Sequence, residues 1–213
     1  DIDRGGLLAA LMRTGAETGT GAVPTDQIRT QLEAAVRDGN EAPSVRAAAI
    51  VALGYVGGPS SLDALAPLLR AGGQYAVAAA KAVGHIGQKM AEAQAEATAP
   101  TLSQAAQMLL DMFQSAQTEE LRMVAATGLS LMGGQPVAKL VEMMQKQPDS
   151  LRPWIAAVLG AIGKPATDPV LDARGLASDP KLRSWYAATL KLIGDARALV
   201  LATQAETLAY DQP

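Results

Sequence analysis

Cysteine is absent from this 213-residue chain. Disulfides and thiolate metal sites are therefore excluded. Histidine occurs once, at His85, which leaves zinc and haem without their usual imidazole and thiolate ligands. Aromatic residues make up 3% of the chain, so its core must be filled by Ala, Leu, Val, Ile and Met. Side chains that small let backbones approach closely, which suits helix stacked on helix. No excess of positive charge is present: the net charge is −3 and the isoelectric point is near 5.2. That balance, with no Lys/Arg-rich run, argues against a nucleic-acid partner. No uninterrupted apolar segment approaches the roughly 20 residues of a membrane span.

What is present is a repeat. The segment Val45 to Gly57 reads VRAAAIVALGYVG, and thirty residues on stands YAVAAAKAVGHIG. LRMVAATGLSLMG, LRPWIAAVLGAIG and LRSWYAATLKLIG follow, ending at Gly133, Gly163 and Gly194. An arginine recurs as Arg46, Arg122, Arg152 and Arg183, and the last glycine stands in every copy. Leu121, Val124, Ala125, Gly128, Leu129 and Met132 fall at three- and four-residue spacings, so each copy predicts a helix with one apolar stripe. Asp179-Pro180 predicts an N-cap followed by proline at the first helical position. Ser44, Thr118 and Asp149 are expected to cap their own copies. The terminal glycine is expected to end each helix in a left-handed conformation. We call these the A helices.

Between the copies lie B helices. Ser60 or Ser61 starts one, with Leu62, Leu65, Leu68 and Leu69 on one side and Gly72-Gly73 at its end. Pro136–Gln145 and Thr167–Leu176 predict two more, Thr25–Arg37 another upstream, and Ala196–Leu208 one at the C-terminal end. Gly6–Gly15 reads as the tail of a further A helix, with Arg4 in the arginine slot. A hairpin of this kind cannot bury its stripe alone, so its neighbours must. The expectation is a single all-α domain over 1–213, an α-solenoid of about six antiparallel hairpins. These are a partial one at 1–40, then 44–73, 74–117 with an insertion at 88–100, 118–147, 149–177 and 179–209.

The pattern L/V-R-x-x-A-A-x-x-L-G-x-I-G, repeated near every thirty residues, resembles the short HEAT-like repeats of the phycobilisome-lyase type. The resemblance covers roughly Ser44 to the C-terminal end, with a gap at 88–117. It implies a right-handed superhelix of antiparallel hairpins whose B helices line a concave side. It also suggests an alternative activity, a phycobilin-lyase-like chromophore chaperone. HEAT-type hydroxylases that hold iron need several His-Glu pairs, and this chain has none.

One copy departs from the rest. Elsewhere a proline or a polar turn follows the terminal glycine, but Gly87 runs on into Gln88, Lys89, Met90 and Ala91, which tolerate a helix interior. The expectation is an A helix that continues for two or three turns, with Pro100 breaking it and a long B helix at Thr101–Gln117 covering it. Lys89, Glu92 and Glu96 would lie on the polar face of this extension, a possible docking arm.

No catalytic residue, metal ligand or cofactor site is expected. His85 has Tyr55, Leu131, Ala161 and Leu192 as its counterparts and reads as structural. The pairs Asp168/Asp172, Glu92/Glu96 and Glu119/Glu120 read as solvated acidic faces. Trp154 and Trp185 read as packed against neighbouring helices. The repeated arginine sits in the first turn of a helix, where its charge is poorly matched to the dipole. A ladder of ion pairs is therefore expected, with Asp149 serving Arg152 and Asp179 serving Arg183. The functional expectation is a non-catalytic scaffold for a protein partner. Its contacts would come from the B helices: Asp63, Arg70, Lys139, Glu142, Met143, Lys146, Asp168 and Asp172. The chain opens at Asp1 without a visible signal peptide, which reads as a processed product or a piece of something longer, soluble and either cytoplasmic or exported.

Overall fold

The computed structural model describes residues 25–93 and 99–194. The readings at 1–24, at Glu96 and beyond Gly194 lie outside the described residues. Among these the fold is all-α, a helical solenoid. In chain order the helices are α1 (Thr25–Arg37), α2 (Pro43–Val56), α3 (Pro59–Ala71), α4 (Ala76–Ala93) and α5 (Ala99–Ser115). They continue with α6 (Glu119–Leu131), α7 (Val137–Lys146), α8 (Arg152–Ile162), α9 (Thr167–Leu176) and α10 (Pro180–Ile193). The even-numbered helices are the A helices and the odd-numbered ones the B helices.

The A helices form one row, each packed on the next from α2 to α10. In the other row α1 meets α3, α3 meets α5, and α7 meets α9. Each B helix also lies on the A helix that follows it. Between the rows runs a continuous apolar core containing Ile50, Leu53, Leu62, Leu65, Val83, Ile86, Leu109, Phe113, Leu129, Leu140, Leu159 and Leu190. These are the stripes that the three- and four-residue spacing picked out.

Small residues set how closely the A row packs. A β-carbon built on Gly84 would lie 2.9 Å from the Gly128 Cα, and one on Gly54 would lie 3.1 Å from the Ala82 Cα. The backbones of α2, α4 and α6 therefore meet almost directly. At Gly87 the α4 helix runs on through the glycine and ends its described length at Ala93. A glycine inside a helix costs about 1 kcal/mol against alanine. Its place here is explained by Met132, whose Cε would lie 2.3 Å from a β-carbon at that position. Pro100 stands in the first turn of α5, where its missing N–H costs nothing.

The end signals divide. Asp179 caps α10 by accepting from the Lys181 backbone N–H at 3.0 Å, and Thr118 caps α6 by accepting from that of Leu121 at 3.3 Å. Gly133, Gly163 and Gly194 are left-handed, with φ of 60°, 76° and 69°. Gly57 is not: its φ is −65°, and a β-carbon there would collide with the Leu53 carbonyl oxygen and Ile86. Ser44 and Asp149 do not cap. Pro43 begins α2 one residue before Ser44, and Leu151 occupies the N-cap of α8.

The arginine ladder differs from the expectation in a physically informative way. Arg46 Nε–H donates to the Val36 carbonyl at 2.9 Å, and Arg122 donates to Ala116 O at 2.8 Å. Arg152 donates to Met144 O at 3.1 Å, and Arg183 to Ser178 O at 3.3 Å. Each acceptor lies at or just past the end of the preceding B helix. The guanidinium thus serves the carbonyl-rich, negative end of one helix while belonging to the first turn of another. Among the described residues only Arg152 adds a carboxylate, Asp149 at 2.6 Å. Asp179 is held by its own cap and forms no ion pair with Arg183. Arg46 also lies over the Tyr75 ring, 5.1 Å from its centroid.

Candidate functional site

The B helices present the candidate surface. Their apolar stripe is turned to the core, so the polar residues between stripe positions are left to solvent. On α3, Asp63 and Arg70 are exposed. Asp63 accepts a hydrogen bond from Gln104 of α5 at 3.0 Å, which ties the two B helices together. A shallow cleft lies between α3 and α5, lined by Leu69, Arg70, Met108, Asp111, Met112 and Ser115. Arg70 and Asp111 place opposite charges on its lining, and Asp111 accepts from Gln107 at 2.7 Å. The cleft has an adaptable apolar floor, because methionine has several soft torsions.

On α7, Glu142 receives Lys146 at 2.7 Å and Lys139 at 2.9 Å. The hydrogen bond from Lys146, then that from Lys139, holds the Glu142 carboxyl at about 2. On α9, Asp168 and Asp172 are exposed. The candidates therefore fall into two groups, one on α3 with α5 and one on α7 with α9. Among the described residues α5 and α7 have no comparable packing.

Met143 is a correction. It was expected at the surface, yet it is 2% exposed and belongs to the core beside Met144. The B-helix stripe is wide enough to take both; among the described residues the most exposed methionine is Met123, on α6, at 52%. Trp154 and Trp185 are half-buried and packed against the core. His85 is half-buried, its ring stacked on that of Tyr55 with centroids 5.6 Å apart.

Lys89 and Glu92 of the α4 extension are exposed, but Lys89 reaches back to the stack. Lys89 donates from Nζ to the carbonyls of Tyr55 at 2.9 Å and Gly57 at 3.4 Å. It caps the C-terminal end of α2, and so fastens the extension to the stack. Glu92 accepts from Gln88 at 2.9 Å.

Two features went unread in the sequence. Glu33 on α1 is buried and accepts from the hydroxyls of Ser60 at 2.8 Å and Ser61 at 2.7 Å. A carboxylate at the N-terminal end of α3 meets the positive end of that helix. Gln104, Gln107 and Asp111 form the polar side of α5, and their spacing of three and four was a legible signal. Asp149 links two repeats by pairing with Arg152 and with Lys181 of α10. Its hydrogen bond from Lys181 holds its carboxyl below the usual range. Among the described residues no group of His, Cys, Asp and Glu is placed to hold a metal ion. None of their helices is long and apolar enough to cross a membrane.

With that geometry in view, comparison with known families decides the class. Residues 20–150 match the vitellogenin TPR domain. The chain belongs to that family. The family is one of helical repeats, as the motif implied; it is not the phycobilisome-lyase type that the motif suggested. The crystal structure of an engineered protein, a Northeast Structural Genomics Consortium target, is similar at 18% identity over 99% of this chain and 89% of that one. Its TM-score is 0.41, and at that level the likeness decides nothing. No curated protein matches. Membership in the vitellogenin TPR domain family fixes the architecture and leaves function to the surface.

Proposed function

We infer that this chain is a non-catalytic scaffold that binds a protein partner through its B-helix face. The observation that carries this reading is the α3–α5 cleft, where Arg70 and Asp111 line an apolar floor of Leu69, Met108 and Met112. A buried apolar anchor beside a charge is how a partner's side chain is held with specificity. Asp63, Arg70, Lys139, Glu142, Lys146, Asp168 and Asp172 would set the orientation of the partner. Their mixed signs favour a patterned protein surface over a polyanion. Met143 drops out, because it faces the core.

Nothing favours the phycobilin-lyase-like alternative. Two propionates call for two cations, and Arg70 is the one cation lining the cleft. The test is crosslinking mass spectrometry with native neighbours. Crosslinks should concentrate on the B helices, and Arg70→Glu should remove the crosslinked partner while leaving the helical circular dichroism intact. A partner retained at full occupancy by Arg70→Glu, with crosslinks distributed evenly over both rows, would refute the reading.

A further inference from the structure

The A row is not uniform along its length. Three places before the terminal glycine, α2, α4 and α8 carry Gly54, Gly84 and Gly160. The missing side chain lets another A helix come close: a β-carbon on Gly160 would lie 2.7 Å from the Leu192 Cβ, just as those on Gly54 and Gly84 would meet Ala82 and Gly128. In α6 the same slot holds Ser130, half-buried, its hydroxyl donating to the Thr127 carbonyl at 2.8 Å. The slot five places before the terminal glycine changes in step. It is Ala82 in α4 and Gly128 in α6, but Val158 in α8. Both sides of the α6–α8 step are therefore bulkier than those of the two steps before it.

The packing follows the side chains. Among the described residues the α6–α8 contact is the weakest in the A row, and α7 lies less on α8 than any other B helix lies on the A helix after it. The bonds that tie helix to helix fall on either side of this step. Lys89 with the Tyr55 carbonyl, Gln104 with Asp63 and Arg122 with the Ala116 carbonyl join helices from α2 to α6. Arg152 with the Met144 carbonyl, Lys181 with Asp149 and Tyr186 with the Val141 carbonyl join helices from α7 to α10. None of these six crosses from one set to the other, whereas the apolar core does. Apolar contact is non-directional, so it holds the two sets together without fixing their register.

We propose that the solenoid is built as two arms, α1–α6 and α7–α10, that shear on each other at the α6–α8 step. Packed helices slide where their contact is apolar and loosely seated, and stay fixed where backbones touch and bonds lock the register. The Gly133-Gly134 linker joins the arms, and a β-carbon on Gly133 would meet nothing within 4 Å. Movement at the step changes the separation of the two groups of B-face residues, one on α3 with α5 and the other on α7 with α9. The same surface then presents its charges at more than one spacing. The device belongs to the chain alone, so it stands or falls independently of the scaffold reading above.

The absence of cysteine lets spin labels be placed in pairs without removing any native thiol. Three pairs each span one step of the B row: Ala71→Cys with Gln114→Cys, Gln114→Cys with Ala138→Cys, and Ala138→Cys with Gly175→Cys. All four positions are exposed. Double electron–electron resonance reads the distance distribution of each pair. The middle pair, which crosses from α5 to α7, should be about twice as broad as the two that flank it. Ser130→Gly combined with Val158→Ala restores small residues to both slots and should narrow the middle pair while leaving the flanking pairs as they are. Circular dichroism confirms folding, and Ser130→Gly alone serves if the double variant unfolds. A middle pair as narrow as its neighbours would overturn the proposal. So would a breadth that the slot variants leave unchanged, since the step would then owe nothing to Ser130 and Val158.

Discussion

Replacing Gly84 by alanine should weaken the stack, although helix propensity favours the change. Gly84 lies in the interior of α4, where alanine gains about 1 kcal/mol. The new β-carbon would stand 2.9 Å from the Gly128 Cα. Non-bonded carbons prefer about 3.5–4.0 Å, so α4 and α6 must part by roughly 0.6–1 Å. The obstacle is backbone and cannot rotate aside. Overpacking of this kind costs about 1–3 kcal/mol, which leaves a net loss of about 1 kcal/mol. Gly175→Ala is the control. Gly175 is helical, in α9, and a β-carbon there meets nothing within 4 Å. It lies in the last turn, so the gain should be about 0.5 kcal/mol. Urea unfolding followed by far-UV circular dichroism reads both. The two substitutions should move the midpoint in opposite directions. A Gly84→Ala variant as stable as the parent would show that the A row does not depend on backbone contact.

Arg46→Ala should cost about 1–2 kcal/mol through the lost Val36 carbonyl bond and the Tyr75 contact. Arg183→Ala, whose carbonyl bond is long and exposed, should cost under about 0.5 kcal/mol; equal losses in urea melts would refute the carbonyl-cap account. Met143→Ala should destabilise by about 2–4 kcal/mol, as for a core methionine, and an unchanged melting temperature would return Met143 to the surface. The Glu142 carboxyl should titrate near 2 by NMR and move up toward 4.5 in Lys146→Ala or in high salt. Because its folded value is depressed, whatever stability it contributes is present above pH 4.5 and is lost as the pH falls toward 2. A midpoint near 4.5 in the parent protein would show that the two lysines do not hold it.

The limits of the sequence reading show best at particular residues. The run-on at Gly87 was legible because Gln88, Lys89, Met90 and Ala91 carry helix-forming chemistry in the next turn. Why a glycine stands there was not, since Met132 lies 45 residues away and arrives only when α6 packs on α4. Lys89 looked like a free polar residue for the same reason, as its acceptors belong to α2. The arginine puzzle was posed correctly by the dipole of its own helix. Its solution lay at the end of a different one; of the two carboxylates expected to answer it, Asp149 pairs with Arg152 and Asp179 does not pair with Arg183. Asp63 and Arg70 were identifiable as solvent-facing from their place off the stripe. The cleft beside them was not, because α5 supplies its other wall.

The sequence by itself determined the repeat, the positions of nearly all described helices and the stripe each one buries. Those are local properties: a period of 3.6 residues, caps within four residues and glycines at fixed offsets. The tertiary structure alone decided which helix end each arginine serves, and that Met143 is inside and Met123 outside. These depend on contacts between residues far apart in the chain, and no local pattern specifies where a neighbouring helix will cross.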